Sequence, residues 1–303
     1  MKQVFFEGEF TEFENANVSI MTHAFNYGTA VFEGIRGYWN QDKKQLFILK
    51  LEEHYKRLAD SCKLLKIELH YPVKELCDVT VDLAKRNGYK EDVYIRPIAY
   101  KSAKKIGLGL SGVDDDLCIY LAPFGDYLDV SSGIRVCTST WRRTDDISMP
   151  ARAKSTGSYV NSSLAKSEAI EAGFEEAILL THDGHVAEGS GENIFMVRKG
   201  QLITPPVTDN ILEGLTRDAI KQLAKDKLGL ETVERSIDRS ELYIADELFF
   251  CGTGAQVSPI IEVDRRIVGH GKVGDITSKL QKAYFAAARG DDTKYKDWVT
   301  PVY

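Results

Sequence analysis

Pro150-Ala-Arg-Ala-Lys154-Ser-Thr-Gly-Ser-Tyr159 and, further on, Glu188-Gly-Ser-Gly-Glu192-Asn193-Ile-Phe195 are the stretches that decide how this 303-residue chain is read. Lys154 lies among small and polar residues, away from runs of surface charge. A lysine held in that way can lose its proton and attack a carbonyl carbon. Glu188 follows an Asp183-Gly184 hairpin signal set between Leu180 and Val186. A carboxylate placed there can face the far end of the ligand that the lysine attacks. By composition alone Lys154 is one solvated lysine among many, so its surroundings have to carry the argument.

The chain is long for a single small core, and two domains are expected. Hydrophobic residues make up 43% and charged residues 28%, an ordinary globular balance. The net charge of −6 argues against non-specific nucleic-acid binding, though not against a local anion site. Five cysteines, odd in number and without a CxxC pair, fit a reduced, cytoplasmic protein. The first residues turn acidic before an apolar signal core develops, so no signal peptide is expected. No apolar run approaches membrane-spanning length, so no membrane partner is expected either.

Period and punctuation predict an α+β protein with mostly antiparallel pairing. Val4–Phe6 and Asn17–Ile20 read as short strands around a turn at Glu7-Gly8, and Leu46–Leu49 as another. Leu51, Tyr55, Leu58, Cys62 and Leu65 recur at helical steps. Pro72 opens a second helix that Gly88 closes. Val93–Tyr100 and Leu117–Leu121 read as strands. These elements form a small N-terminal domain over residues 1–124, followed by a linker at 125–133. Residues 134–303 form a larger, β-rich domain. Its strands are Ile134–Ser139, Ala177–Leu180, Asn193–Val197 and Glu247–Phe250, and its helices run from Tyr159 to Ala172, from Gly214 up to a stop at Gly229, and from Ile276 to Ala288.

Gly107-Leu-Gly109-Leu-Ser-Gly112 matches a dinucleotide-binding spacing, but a strand rather than a helix is expected after it, so it reads as a loop. His182-Asp-Gly-His185 flanks a turn without a third ligand, and no metal is expected. Leu215-Thr216 at a helix start suits a phosphate, and taken alone suits a plain cap equally well. Gly252-Thr253-Gly254 lets the backbone approach an anion, or simply makes a turn. Tyr94 and Arg96 share one strand face. That arginine can fork onto a carboxylate or form a surface ion pair.

Taken together and in order, these motifs carry a resemblance. Lys154-x4-Tyr159, Glu188-Gly-x-Gly-Glu-Asn-Ile-Phe, Leu212-x-Gly-Leu-Thr-Arg-Asp and Gly252-Thr-Gly-Ala resemble the fold-type IV pyridoxal-phosphate enzymes. His23-Ala-Phe-Asn-Tyr27-Gly-Thr-x-Val-Phe-Glu-Gly-Ile-Arg36 and Tyr94-Ile-Arg96-Pro resemble one branch, the branched-chain amino acid aminotransferases. The likeness runs from about Phe5 to Phe285. It implies pyridoxal 5'-phosphate as cofactor, which needs an amine to bond it and an acid to hold its ring nitrogen protonated. Lys154 is then the amine and the catalytic proton carrier, and Glu188 the acid. Tyr159 is implied to bond the phenolic oxygen, and Arg57, Leu215, Thr216 and Thr253 the phosphate. Phe32, Gly34, Tyr94 and Tyr127 are implied to line the substrate pocket, with Tyr27 entering from a neighbouring subunit. Arg96 would meet a γ-carboxylate, and Thr253-Gly254-Ala255 an α-carboxylate.

The resemblance further implies small-molecule amino acids and 2-oxo acids as partners. It implies a homodimer or higher homo-oligomer with the site near the subunit interface. One departure stands out: Gly254 and Gln256 replace the usual residues after Gly252-Thr253, adding backbone freedom beside the carboxylate site. Alternatives that stay open are a D-amino-acid or (R)-amine transaminase, an aminodeoxychorismate lyase, and a catalytically silent ligand-binding relative.

Overall fold

The computed structural model describes residues 2–125 and 128–303. The chain divides into two compact units. The first comprises Met1–Gly125, Ala153–Gly157 and Ala286–Tyr303, and the second Asp126–Arg152 and Ser158–Phe285.

The first unit is an eight-stranded sheet in the order Val299–Pro301, Gln45–Leu49, Ile35–Asn40, Val93–Lys101, Asp115–Pro123, Gln3–Phe6, Glu9–Glu12, with Ala30–Phe32 also paired to Val93–Lys101. Every pairing in it is antiparallel. Helices Leu51–Leu64 and Val73–Asn87 supply Tyr55, Leu58, Leu76 and Leu83 to a core shared with Ile35, Ile95, Ile119 and Leu121. Along Val93–Lys101, Val93, Ile95 and Ala99 are buried while Tyr94, Arg96 and Ile98 are half-buried. The strand period therefore sends Tyr94 and Arg96 to the face opposite the helices.

The expected strand at Asn17–Ile20 does not form, and Glu9–Glu12 takes its place. Glu7 and Gly8 both have left-handed φ, 49° and 85°, the geometry of a two-residue hairpin that pairs its flanks at once. Pro72 is the N-cap and Gly88 the left-handed C-cap of the second helix.

The second unit holds a nine-stranded mixed sheet in the order Val186–Gly189, Glu176–Leu180, Ile134–Arg142, Gln256–Val263, Glu247–Gly252, Asn193–Arg198, Gln201–Thr204, Thr232–Glu234, with Arg266–Ile267 on Gln256–Val263. Ile134–Arg142 runs parallel to both its neighbours, and Gln201–Thr204 is parallel to Thr232–Glu234. Helix Tyr159–Glu171 lays Ala165 and Ala169 on Cys137, Ala177 and Leu179. Helix Leu215–Leu228 buries Ala219, Ile220, Leu223 and Ala224.

The sequence reading placed everything after residue 134 in one domain. Two later segments instead sit in the first unit. Val299–Pro301 pairs with Gln45–Leu49, and Val302 is buried in the first core. Residues 154–156 join the edge at Ala30–Phe32 through backbone hydrogen bonds. The stretch Gly107–Gly112 is a loop between two antiparallel strands and starts no helix.

Candidate active site

In the first unit the lysine segment is held as a short extra strand. Phe32 N–H donates to the Lys154 carbonyl at 2.9 Å, and Thr156 N–H to the Ala30 carbonyl at 2.9 Å. The Thr156 hydroxyl donates to the Gly28 carbonyl at 2.9 Å, and Lys154 N–H donates to Ser61 Oγ at 3.2 Å. The half-buried Lys154 extends its Nζ to 5.1 Å from the centre of the Phe32 ring.

The Arg96 guanidinium lies over the same ring at 4.5 Å. Its Nη2 donates to the Tyr94 hydroxyl at 3.1 Å. Among the described residues no carboxylate pairs with Arg96, and its buried Nε has no hydrogen-bond partner. Among the described residues Arg96 forms no surface ion pair. Gly34 makes room for Tyr94, because a Cβ there would lie 1.9 Å from the tyrosine hydroxyl. Phe124, which the sequence reading did not single out, packs its ring 5.0 Å from that of Tyr94. Tyr27 stands apart on the short helix His23–Tyr27, where its hydroxyl accepts from Gly107 N–H at 3.1 Å. Tyr127 lies outside the described residues.

Arg57 projects from helix Leu51–Leu64 into a buried ion pair. Its Nε and Nη2 donate to the two oxygens of Glu33 at 2.8 and 2.7 Å. His54 Nδ1 meets the same carboxylate at 2.7 Å. Burial pushes the Glu33 carboxyl upward, but Arg57 and then His54 outweigh it and hold the group far below the usual carboxylate range. Burial lowers His54 despite Glu33, so the imidazole is neutral near pH 7 and donates through Nδ1.

In the second unit Glu188 is buried and is held by a guanidinium, a side-chain amide and a backbone N–H. Arg143 Nη2 lies 2.9 Å from Oε1, Asn193 Nδ2 donates to Oε2 at 3.0 Å, and Leu212 N–H donates to Oε2 at 3.1 Å. Asn193 also donates to the Leu212 carbonyl at 3.0 Å, tying this strand to the turn before helix Leu215–Leu228. Gly214 is that helix's N-cap, and no side chain caps it. A Cβ on Gly214 would lie 1.9 Å from Asn193 Oδ1, so only glycine keeps the amide in place. The amides of Leu215 and Thr216 thus open at a positive helix end. Tyr159 is the first residue of helix Tyr159–Glu171. Thr253, Gly254 and Ala255 form the loop joining Glu247–Gly252 to Gln256–Val263. The left-handed residue of that hairpin is Gln256, at φ 58°, not Gly254. A Cβ on Gly254 would meet nothing within 4 Å, so the extra freedom expected there is not what the loop uses.

Each unit thus carries groups suited to part of a pyridine cofactor that bears a phosphate. In the second unit, a buried carboxylate fixed by a guanidinium at 2.9 Å can accept a ring N–H. An uncapped helix start and a fixed arginine suit the phosphate. An amine over an aromatic ring suits a carbonyl. The signal for the supporting residues was thin. Glu33 lay inside a motif already singled out, and His54, Arg57 and Ser61 fall on one helical face. Arg143, remote in sequence, carried none.

Comparison with known proteins identifies the family. The family model for class IV amino-transferases matches residues 30–263. The chain belongs to the class IV aminotransferases. Its full-length relatives include branched-chain-amino-acid aminotransferases. A probable enzyme of that name from Aquifex aeolicus is 51% identical over 303 residues, covering 100% of this chain and 97% of the relative. The Escherichia coli K12 enzyme is 38% identical over 305 residues, covering 99% and 97%. Among solved structures, the Thermoproteus uzoniensis branched-chain aminotransferase with norvaline superposes with a TM-score of 0.96, at 44% identity and 100% and 99% coverage. The Thermobaculum terrenum branched-chain amino acid aminotransferase in its PLP-form gives 0.95, at 40% identity and 100% and 98% coverage.

Proposed function

We propose that this chain transfers the amino group between L-branched-chain amino acids and 2-oxoglutarate, with pyridoxal 5'-phosphate as cofactor. The observation that carries this reading is one aromatic ring with two cations over it. Lys154 Nζ and the Arg96 guanidinium both lie over Phe32, at 5.1 and 4.5 Å. The Phe32, Tyr94 and Phe124 rings give an aliphatic side chain an apolar wall. Arg96 Nε, buried and without a partner among the described residues, gives a γ-carboxylate a charged donor. One pocket can thus accept both substrates in turn.

Bound pyridoxal phosphate supplies the electron sink for charge developing at the substrate α-carbon. Lys154 would bond the cofactor and move the α-proton. Glu188, fixed by Arg143, Asn193 and Leu212, would accept the proton-bearing pyridine nitrogen. Tyr159 would donate to the phenolic oxygen. Arg57, the Leu215 and Thr216 amides and Thr253 would hold the phosphate, while the Thr253-Gly254-Ala255 loop would hold the α-carboxylate.

We also propose that a second copy of the chain completes the pocket with Tyr27. Around that residue Ile20, Phe25, Ile106 and Leu108 are all strongly exposed, more apolar surface than an isolated chain leaves bare without use. A cytoplasmic location fits the five free cysteines among the described residues. Among those residues no helix is long and apolar enough to cross a membrane.

Borohydride reduction followed by peptide mapping tests the site, with the pyridoxyl group expected on Lys154 and a label on another lysine refuting it. Assays of L-leucine, L-valine, D-alanine and (R)-1-phenylethylamine with 2-oxoglutarate test the substrate. Faster turnover of D-alanine or the amine would overturn the branched-chain reading.

A further inference from the structure

We propose that Glu33 is a positioning residue for the cofactor phosphate, acting through Arg57. The proposal rests on the reading of Arg57 as a phosphate ligand. Glu33 is fully buried and grips the Nε–Nη2 edge of Arg57 with two hydrogen bonds, 2.8 and 2.7 Å. His54 braces one oxygen of the same carboxylate at 2.7 Å. His54, Arg57 and Ser61 lie three and four residues apart on helix Leu51–Leu64 and so share a face. Ser61 accepts the Lys154 N–H at 3.2 Å. One helix face therefore fixes both the guanidinium and the backbone of the reactive lysine.

A carboxylate on a phosphate-binding arginine presents an apparent conflict. Its charge opposes the phosphate's attraction to that arginine, and in a buried setting this opposition is substantial. Its fork, however, fixes the plane of a long, flexible side chain, and an arginine held in advance loses less entropy when it binds. The two effects predict opposite signs. If Glu33 served only to balance charge, removing its charge would tighten phosphate binding. If it positions Arg57, the same change weakens binding. The bidentate geometry and the added brace from His54 favour the second.

The test uses the full-length protein, stripped of cofactor and titrated with pyridoxal 5'-phosphate and, separately, with pyridoxal. The ratio of the two affinities isolates the phosphate contribution. Arg57→Met is expected to lower that ratio about 100-fold, the scale of two charge-assisted bonds. Glu33→Gln is expected to lower it about tenfold, because an amide offers one acceptor and turns a donor toward the guanidinium. Pyridoxal affinity itself should stay within about twofold in Glu33→Gln, since the ring contacts are not involved. An unchanged or raised ratio in Glu33→Gln, with the ratio lost in Arg57→Met, overturns the role given to Glu33. A ratio unchanged in Arg57→Met overturns the Arg57 reading and the proposal with it. Should Glu33→Gln fail to fold, Glu33→Asp decides. It keeps the charge but is one methylene too short to close the fork, so a lowered ratio supports positioning and a wild-type ratio refutes it.

Discussion

Replacing Glu188 by glutamine should cost stability as well as rate, and the structure sets the scale. Glu188 faces donors on both of its oxygens, among them Arg143 Nη2 at 2.9 Å, Asn193 Nδ2 at 3.0 Å and Leu212 N–H at 3.1 Å. Glutamine has one oxygen and one NH2 group at that end. Whichever way it turns, a donor meets a donor. If the oxygen faces Asn193 and Leu212, the amide nitrogen is pressed against the Arg143 guanidinium. The charge-assisted contact then lost is worth about 1.5–3 kcal/mol. Arg143, with only 10% of its side chain exposed, keeps its bond to the Asn210 carbonyl but loses its counter-charge. Breaking a buried pair from one side costs about 3–5 kcal/mol. The retained bond places the expectation near the lower end, about 3 kcal/mol. Urea unfolding of the cofactor-free protein, at fixed protein concentration, should show a lower midpoint with unchanged slope. Arg143→Met combined with Glu188→Gln should lose less than the two single changes added together. A loss below about 0.5 kcal/mol, or strict additivity, would refute the argument that these two residues form one unit. In the loaded enzyme the same variant should slow the half-reaction by orders of magnitude while cofactor remains bound, as expected when the ring nitrogen loses its acid. A single-turnover rate near wild type would remove Glu188 from that role.

Substrate choice, pocket shape and acid stability can each be probed in the same way. Arg96→Met should cost L-glutamate about 2–3 kcal/mol, on the order of 30- to 100-fold in kcat/KM, and L-leucine much less; equal losses in the two half-reactions would leave Arg96 as a brace for its strand. Gly34→Ala puts a methyl group where the Tyr94 hydroxyl stands, so Tyr94 must move and release Arg96. A penalty of about 1–3 kcal/mol is expected, seen as a raised KM for both substrates, and a crystal structure with Tyr94 unmoved would contradict it. The folded-state value of His54 lies below its ordinary 6.5, so below that pH the unfolded chain binds protons first and stability falls as pH falls. Glu33, depressed below 4.5, acts in the same direction at lower pH still. His54→Gln should therefore flatten the urea-midpoint profile below about pH 6.5, and a profile of unchanged slope would exclude His54 as its source.

The parts of the fold legible in the sequence are those with local causes. Leu51–Leu64 and Val73–Asn87 announce themselves by apolar residues at helical steps and by Pro72 and Gly88 at the ends. Tyr94 and Arg96 share a face because a strand has period two. What was missed depends on partners distant in sequence. Nothing near residue 300 says that Val299–Pro301 will pair with Gln45–Leu49. Nothing near Arg143 points to Glu188. The short strand Ile35–Asn40 hides in a motif rich in glycine and charge, and is fixed by its neighbours at Leu46–Ile48 and Val93–Ile95. Asn17–Ile20 reads as a strand on apolar content, yet the left-handed pair Glu7-Gly8 commits its partner to the next four residues.

The placement of Lys154 shows what the non-local pairing achieves. Its segment lies in sequence between parts of the second unit, but its backbone is fixed to residues 28–32 and to Ser61 in the first. Gly28, in a left-handed turn, is the hinge that admits it, since a Cβ there would sit 3.1 Å from the Gly157 Cα. The amine consequently comes off the same sheet edge as Phe32, one strand from Tyr94 and Arg96. In the roles proposed for Lys154 and Arg96, a base that reaches the substrate α-carbon and an arginine that recognises the substrate's far end need a fixed separation. Mounting both on one antiparallel sheet supplies it without reference to any other part of the molecule. Substitutions at Phe32 or Gly34 should accordingly disturb selection and proton transfer together, whereas changes confined to the Glu188 network should slow transfer and leave the choice between glutamate and leucine intact.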